Sequence, residues 1–342
     1  MTATRRRWAA VTAAVLTIVG PLVEGCSTAA PARPVVQGSI RHIVILVKEN
    51  HSFDNYFGSL ENPPLSLPHC ASLVEQVRCE YDSSDIPAYY QYARTFGYAD
   101  NYFTDIRGPS WPNQMMMVAG QSPLIDDPLL PLKTWVCPVT CYDFPTIGDR
   151  LSESGVTWRN YGEQIYDPFR SISRFQADQV HNVGVPQFFD DLGTGALPAV
   201  AWVRPSPTES EHPGYDVGLG EQWSVSIVNA IMRSTYWSST AILITWDDAG
   251  NVADHVAPPV VEKSEAGRPI RYGFRVPLLV ISPFTPAGTV SHDLLSHVSL
   301  LRFIEDLFHV DPLTFRDRTA NGLSSLFDFS MPARSPLILG SS

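Results

Sequence analysis

Glu49 and Asn50 stand side by side in the segment KENHSFDNYFG, residues 48–58, and offer two hard oxygen donors of the kind a divalent cation takes. Asp247 and Asp248 form a second adjacent pair, in TWDDAGNVADHVAPP, residues 245–259. Two neighbouring carboxylates repel each other unless a cation sits between them and further donors. The four together would make a nearly all-oxygen site, suited to Mg²⁺, Ca²⁺ or Mn²⁺, although carboxylates also bind Zn²⁺. Each pair taken singly reads equally well as a solvated strand end.

Ser110 lies in Gly108-Pro109-Ser110-Trp111-Pro112-Asn113, where one Gly and two Pro fix a turn ahead of a helix start at QMMMVA, residues 114–119. A serine there has free amides and the positive dipole end nearby, a good place to bind phosphate or to hold a hydroxyl that attacks it. A bound cation would activate such a hydroxyl by favouring the alkoxide. By itself Ser110 is also an ordinary helix cap, and Met115–Met117 read as core. His255 could protonate a leaving group or stabilise phosphoryl oxygens. His212 sits in a Gly- and Pro-rich loop and is favoured over His297 as a pocket residue, while His51 could support the Glu49–Asn50 pair.

These residues need a frame that brings strand ends together. Five apolar runs read as buried strands: 42–47, 156–161, 199–203, 241–246 and 276–282. Helical patterns at 146–153, 223–233 and 299–308 lie among them, the last with Leu300, Leu301, Phe303, Ile304, Leu307 and Phe308 on one side. The alternation predicts an α/β fold with a mostly parallel sheet and helices on both faces. Open sheets of this kind place ligands at the carboxyl ends of their strands, where both donor pairs fall.

Forty-four per cent of the 342 residues are hydrophobic, enough for one large domain, expected over residues 40–335. The 29 prolines are scattered, which suggests ordered loops. Residues 1–26 read as an export signal, with Arg5–Arg7, an apolar run from Trp8 to Val23 and Cys26, and residues 27–39 as a linker. Residues 4–8 partly resemble a twin-arginine signal, and Val23-Glu24-Gly25-Cys26 resembles a lipobox, so Cys26 is the expected lipidation site. The chain would then be a lipoprotein on the outer face of the cell membrane; release after cleavage near Ala29–Ala32 is the alternative. The net charge of −11, with the basic cluster inside the removable segment, argues against nucleic-acid binding. The four remaining cysteines suggest two disulfides, with Cys70–Cys79 and Cys137–Cys141 preferred over a zinc site.

Five blocks, in order, resemble a bacterial phosphoesterase family that includes non-haemolytic-type phospholipases C and acid phosphatases. They are ENHSFD with Phe57-Gly58; GPSWPN; TWDD with Asp254-His255-Val256 and Pro258-Pro259; Arg275-Val276-Pro277 with Ile281-Ser282-Pro283; and HVSLLRFIE, spanning residues 49 to 305. The resemblance implies an alkaline-phosphatase-like three-layer α/β/α sandwich. It implies a divalent metal on Glu49, Asn50, Asp247 and Asp248, with Ser110 as nucleophile and metal contact and His212 and His255 at the phosphoryl or leaving group. Asn251 and Ser296 depart from the pattern, in the metal loop and beside His297. The expected activity is hydrolysis of small phosphomonoesters through a phosphoserine. The alternatives are a phospholipase C acting on phosphatidylcholine or a related lipid, and a non-catalytic ligand-binding lipoprotein; sulfatase-like chemistry is disfavoured for want of an oxidisable nucleophile context.

Overall fold

The computed structural model describes residues 39–61, 63–74, 78–127, 142–162, 167–250, 254–263 and 267–340. The export signal, Cys26, Cys137, Cys141 and Asn251 lie outside the described residues. In chain order the strands are β1 (His42–Lys48), β2 (Gly97–Ala99), β3 (Tyr102–Phe103), β4 (Trp158–Tyr161), β5 (Asn182–Val183) and β6 (Val200–Val203). They continue with β7 (Thr240–Trp246), β8 (Val260–Lys263), β9 (Pro269–Arg271), β10 (Leu278–Ile281), β11 (Thr289–Ser291) and β12 (Leu295–Ser296). The main sheet runs β11-β2-β10-β7-β1-β6-β4-β5. Its centre is parallel: β1 pairs with β6 on one side and β7 on the other. β10 is the exception, antiparallel to both β7 and β2.

Every residue of β7, and all of β1 after His42, is buried. Alternate side chains of a strand point to opposite faces, so burial at successive positions requires cover on both. The helices that supply it fall into two mutually packed groups. One contains α2 (Pro87–Thr95), α5 (Val185–Thr194) and α6 (Val217–Arg233); the other contains α3 (Ser110–Ala119), α4 (Ile147–Glu153) and α7 (His297–Phe308). This is the α/β/α architecture that the strand and helix alternation predicts. Two short helices flank the set, α1 (Phe53–Phe57) after β1 and α8 (Phe315–Thr319) after α7.

Element bounds differ from the sequence reading where tertiary contacts extend or trim a pattern. α3 begins at Ser110 rather than Gln114, with Pro109 as its N-cap, because Pro112 falls in the first turn, where a missing N–H is harmless. α6 starts six residues earlier than its apolar pattern, capped by the Asp216 side chain on Gly218 N–H. Val156, Val276 and Ser282 fall outside the strands. Cys70 and Cys79 form a disulfide. Among the described residues no helix is long and apolar enough to cross a membrane.

Candidate active site

The register of β1 on β7 pairs Lys48 with Trp246, so the next residues, Glu49 and Asp247, leave two adjacent parallel strands at the same level. Asp247 N–H donates to the Lys48 carbonyl at 3.0 Å and extends that alignment by one step. Asn50 then turns sharply with φ 54°, a left-handed conformation that asparagine tolerates better than most residues. Gly250, at φ 55°, packs so close that a Cβ there would lie 3.2 Å from that of Asn50. The tight turns after both strands fold four ligand-type side chains inward.

Ser110 closes the cluster from the first position of α3. Its Oγ lies 3.2 Å from Glu49 Oε2, 3.2 Å from Asn50 Oδ1 and 3.1 Å from Asp248 Oδ2. One hydroxyl has one proton to donate, so it cannot satisfy three acceptors. As placed, the Asn50 carbonyl oxygen faces acceptors alone; turned over, its NH₂ would reach Glu49 Oε2 at 3.2 Å, Asp247 Oδ1 at 3.0 Å and Asp248 Oδ1 at 3.3 Å. A carbonyl aimed at three carboxylates is favourable when a cation sits among them, and the donor set is all oxygen, as Mg²⁺, Ca²⁺ and Mn²⁺ prefer and Zn²⁺ accepts. The residues fit a divalent metal.

Electrostatics give the same account. Burial, then Asp247, then Asp248 raise the Glu49 carboxyl well above its ordinary range. Burial and then Asp247 do the same to Asp248, and burial pushes Asp247 to about 6. Positive charge is what this nest lacks. Arg204, buried just past the end of β6, supplies some of it through Gln114: its Nη1 donates to Gln114 Oε1 at 2.7 Å, and Gln114 Nε2 donates to Asp247 Oδ2 at 2.6 Å. Neither residue was singled out in the sequence. Gln114 falls one helical turn after Ser110, which was a usable signal; Arg204 carried none.

A cavity of about 540 Å³ opens over Ser110 and is lined by Glu49, Asn50, Asp248, Arg107, His212 and Asp127, among others. His212 thus lines the cavity that opens over Ser110. His255 is not among the lining residues: its Nδ1 lies 2.9 Å from Asp54 Oδ1, beside Arg275 and Asp254. Ser52 caps α1 and Asp54 ties β1's loop to Arg275, so both brace the segment. His51 is fully buried between Asn55 and the Glu211 carbonyl, with its pKa lowered to about 4 by burial. His297 does not reach the cavity either. It bridges Tyr102 OH and the Asp247 carbonyl, each at 2.8 Å, and so anchors the second acidic pair from behind. The acidic group near Ser296 is Asp105, which accepts from Ser296 Oγ and Val298 N–H at the start of α7.

The fold is shared with solved structures. An alkaline-phosphatase-superfamily protein from Vibrio parahaemolyticus superposes with a TM-score of 0.54 at 15% identity, over 88% of this chain and 72% of that one. A phosphonate monoester hydrolase of Agrobacterium radiobacter gives 0.52 at 13% identity, over 85% and 78%. In sequence, phospholipase C B of Mycobacterium tuberculosis is 27% identical over 96% of this chain and 86% of its own length. Non-hemolytic phospholipase C of Burkholderia pseudomallei is 26% identical over 94% of this chain but 63% of its own. Residues 40–71 and 67–311 match the family described as Phosphoesterase, a span that holds every residue of the cavity and its acidic nest. The chain belongs to the Phosphoesterase family, and it is a phosphoric ester hydrolase.

Proposed function

We propose that the protein hydrolyses phosphate esters with a divalent metal held by Glu49, Asn50, Asp247 and Asp248, through a phosphoserine on Ser110. The observation that carries this reading is the convergence of three acceptors on one hydroxyl, 3.1 to 3.2 Å from Ser110 Oγ. When bound, the ion would neutralise the nest and lower the energy of the serine alkoxide. Ser110 Oγ attacks phosphorus and the bond from phosphorus to the leaving oxygen breaks. The hydroxyl proton passes to a carboxylate already in hydrogen-bond contact, Glu49 or Asp248. In this reading His212, which lines the cavity, gives the leaving alcohol its proton. Water then attacks phosphorus and gives its proton to His212, while the phosphorus–Ser110 oxygen bond breaks and the carboxylate returns its proton to Ser110 Oγ. His255 is not among the cavity's described lining, and its role in the reading is to hold Asp54 and the loop after β1.

Metal-stripped protein should show no turnover of any phosphoester and should regain it with one divalent ion. Ser110→Ala should lose at least about 10³-fold in kcat while binding that ion and unfolding as the parent does. Robust turnover by the Ser110→Ala protein would remove the nucleophile from the proposal. A phospholipase C activity is the second reading, favoured by the names of the relatives above; release of diacylglycerol from phosphatidylcholine vesicles, against phosphate from a small monoester, separates the two.

A further inference from the structure

The cavity over Ser110 holds more negative charge than the metal site uses. Beyond Glu49 and Asp248 its wall includes Asp126 and Asp127, against the Arg107 guanidinium and the His212 imidazole among its described lining. Arg107 lies with its guanidinium over the Phe274 ring, 5.3 Å from the centroid. Asp127 is the carboxylate that bears on the reacting atom. Its Oδ1 accepts from the backbone N–H of Trp111 at 3.1 Å, the amide that directly follows Ser110 in the first turn of α3. A carboxylate oxygen thus occupies an amide in the first turn of the helix that carries Ser110, where helix N-termini bind anions. Asp126, exposed, is its neighbour in the chain.

We propose that Asp127, backed by Asp126, makes this site select singly charged phosphodiesters over dianionic phosphomonoesters. The inference rests on Ser110 being the attacking group. A diester brings one negative charge at any pH near neutrality, whereas a monoester above about pH 6 brings nearly two. The second charge must enter beside Asp127 in a half-enclosed cavity. Like charges a few ångströms apart in a medium of intermediate dielectric repel strongly enough for a discrimination of about tenfold or more. Whether the substrate displaces Asp127 from Trp111 N–H or binds beside it, the carboxylate stays within that range.

The test uses the metal-loaded protein with 4-nitrophenyl phosphate and bis(4-nitrophenyl) phosphate, which share a leaving group, at about pH 7.5, where the monoester is the dianion. The parent should have the higher kcat/KM for the diester. Asp127→Asn keeps an acceptor for Trp111 N–H and removes the charge; it should shift the ratio about tenfold toward the monoester, chiefly through monoester KM, and lower the Ki of inorganic phosphate by a similar factor. Asp127→Glu keeps the charge and should keep the ratio. A parent that prefers the monoester, an unshifted ratio in Asp127→Asn, or equal shifts in both variants would overturn the assignment. Ser110→Ala separates the two proposals: if it abolishes both activities while Asp127→Asn leaves the ratio alone, only the selectivity assignment fails. Turnover surviving in Ser110→Ala removes the nucleophile on which both rest.

Discussion

One hydroxyl among three acceptors is the residue-level fact from which the chemistry follows, and Gln114 holds Asp247, the carboxylate beside them. Its amide links Asp247 to the buried Arg204, so a neutral group holds a carboxylate in one orientation while a cation behind it offsets part of the nest's charge. Outer partners of this kind typically contribute 10- to 100-fold to metal affinity. Gln114→Leu should therefore weaken divalent-ion binding by about tenfold, measured by titration calorimetry on the metal-stripped protein. Unchanged affinity would make Gln114 a packing residue. The donor pairs were legible in sequence as adjacent hard oxygen donors at two strand ends, and it was their combination that pointed to a cation. Gln114 lacks that signature, and its one cue in sequence is its place a helical turn after Ser110.

The strand ends are held by a second buried element, the ion pair of Lys48 and Glu211. Lys48 Nζ lies 3.0 Å from Glu211 Oε1 with neither side chain exposed, and Glu211 also accepts from Tyr56, Tyr89 and Trp246. This hub fastens the last residue of β1 to the loop that carries His212, and Glu211 adopts a left-handed φ of 71° to reach it. Removing one member of a buried pair strands the other charge, at a cost of about 3–5 kcal/mol. Lys48→Met should show a loss of that order in urea unfolding, and adding Glu211→Gln should recover part of it. If the single variant unfolds with the parent, the hub is not what fixes the loop. Neither residue stood out in sequence: a lysine ending an apolar strand reads as a charge reaching water, and here the side chain turns inward.

The whole molecule carries a carboxyl that opposes stability as pH rises. Glu305, on the inner face of α7, is held near pKa 9 first by burial and then by the nearby Asp317 carboxyl of the α8 capping box. Its folded pKa lies above the unfolded value, so the native state binds the extra proton. Stability is therefore greatest below the unfolded pKa and falls as pH climbs toward 9. Glu305→Gln, which keeps the shape and removes the ionisation, should unfold at a higher temperature than the parent at pH 8. The gap, on the order of a few kcal/mol, should close toward pH 5. A gap that stays constant across that range would exclude Glu305 as the titrating group.

What the sequence alone determined is the local chemistry and the class of frame: hard donors in adjacent pairs, a serine at a helix start, buried strands alternating with helices. Those properties live within a few residues, where composition and spacing carry them. The tertiary structure decided which pairs meet. The β1–β7 register brings Glu49 level with Asp247, α3 swings Ser110 to within 3.2 Å of both pairs, and the loop after β6 brings His212 into the cavity. It also turned His255 toward Asp54, buried His297 behind Asp247 and set Asp127 on the amide beside Ser110. Such outcomes depend on contacts between residues as many as 201 positions apart in the chain, as His255 and Asp54 are, and no local pattern encodes which partner a side chain will face.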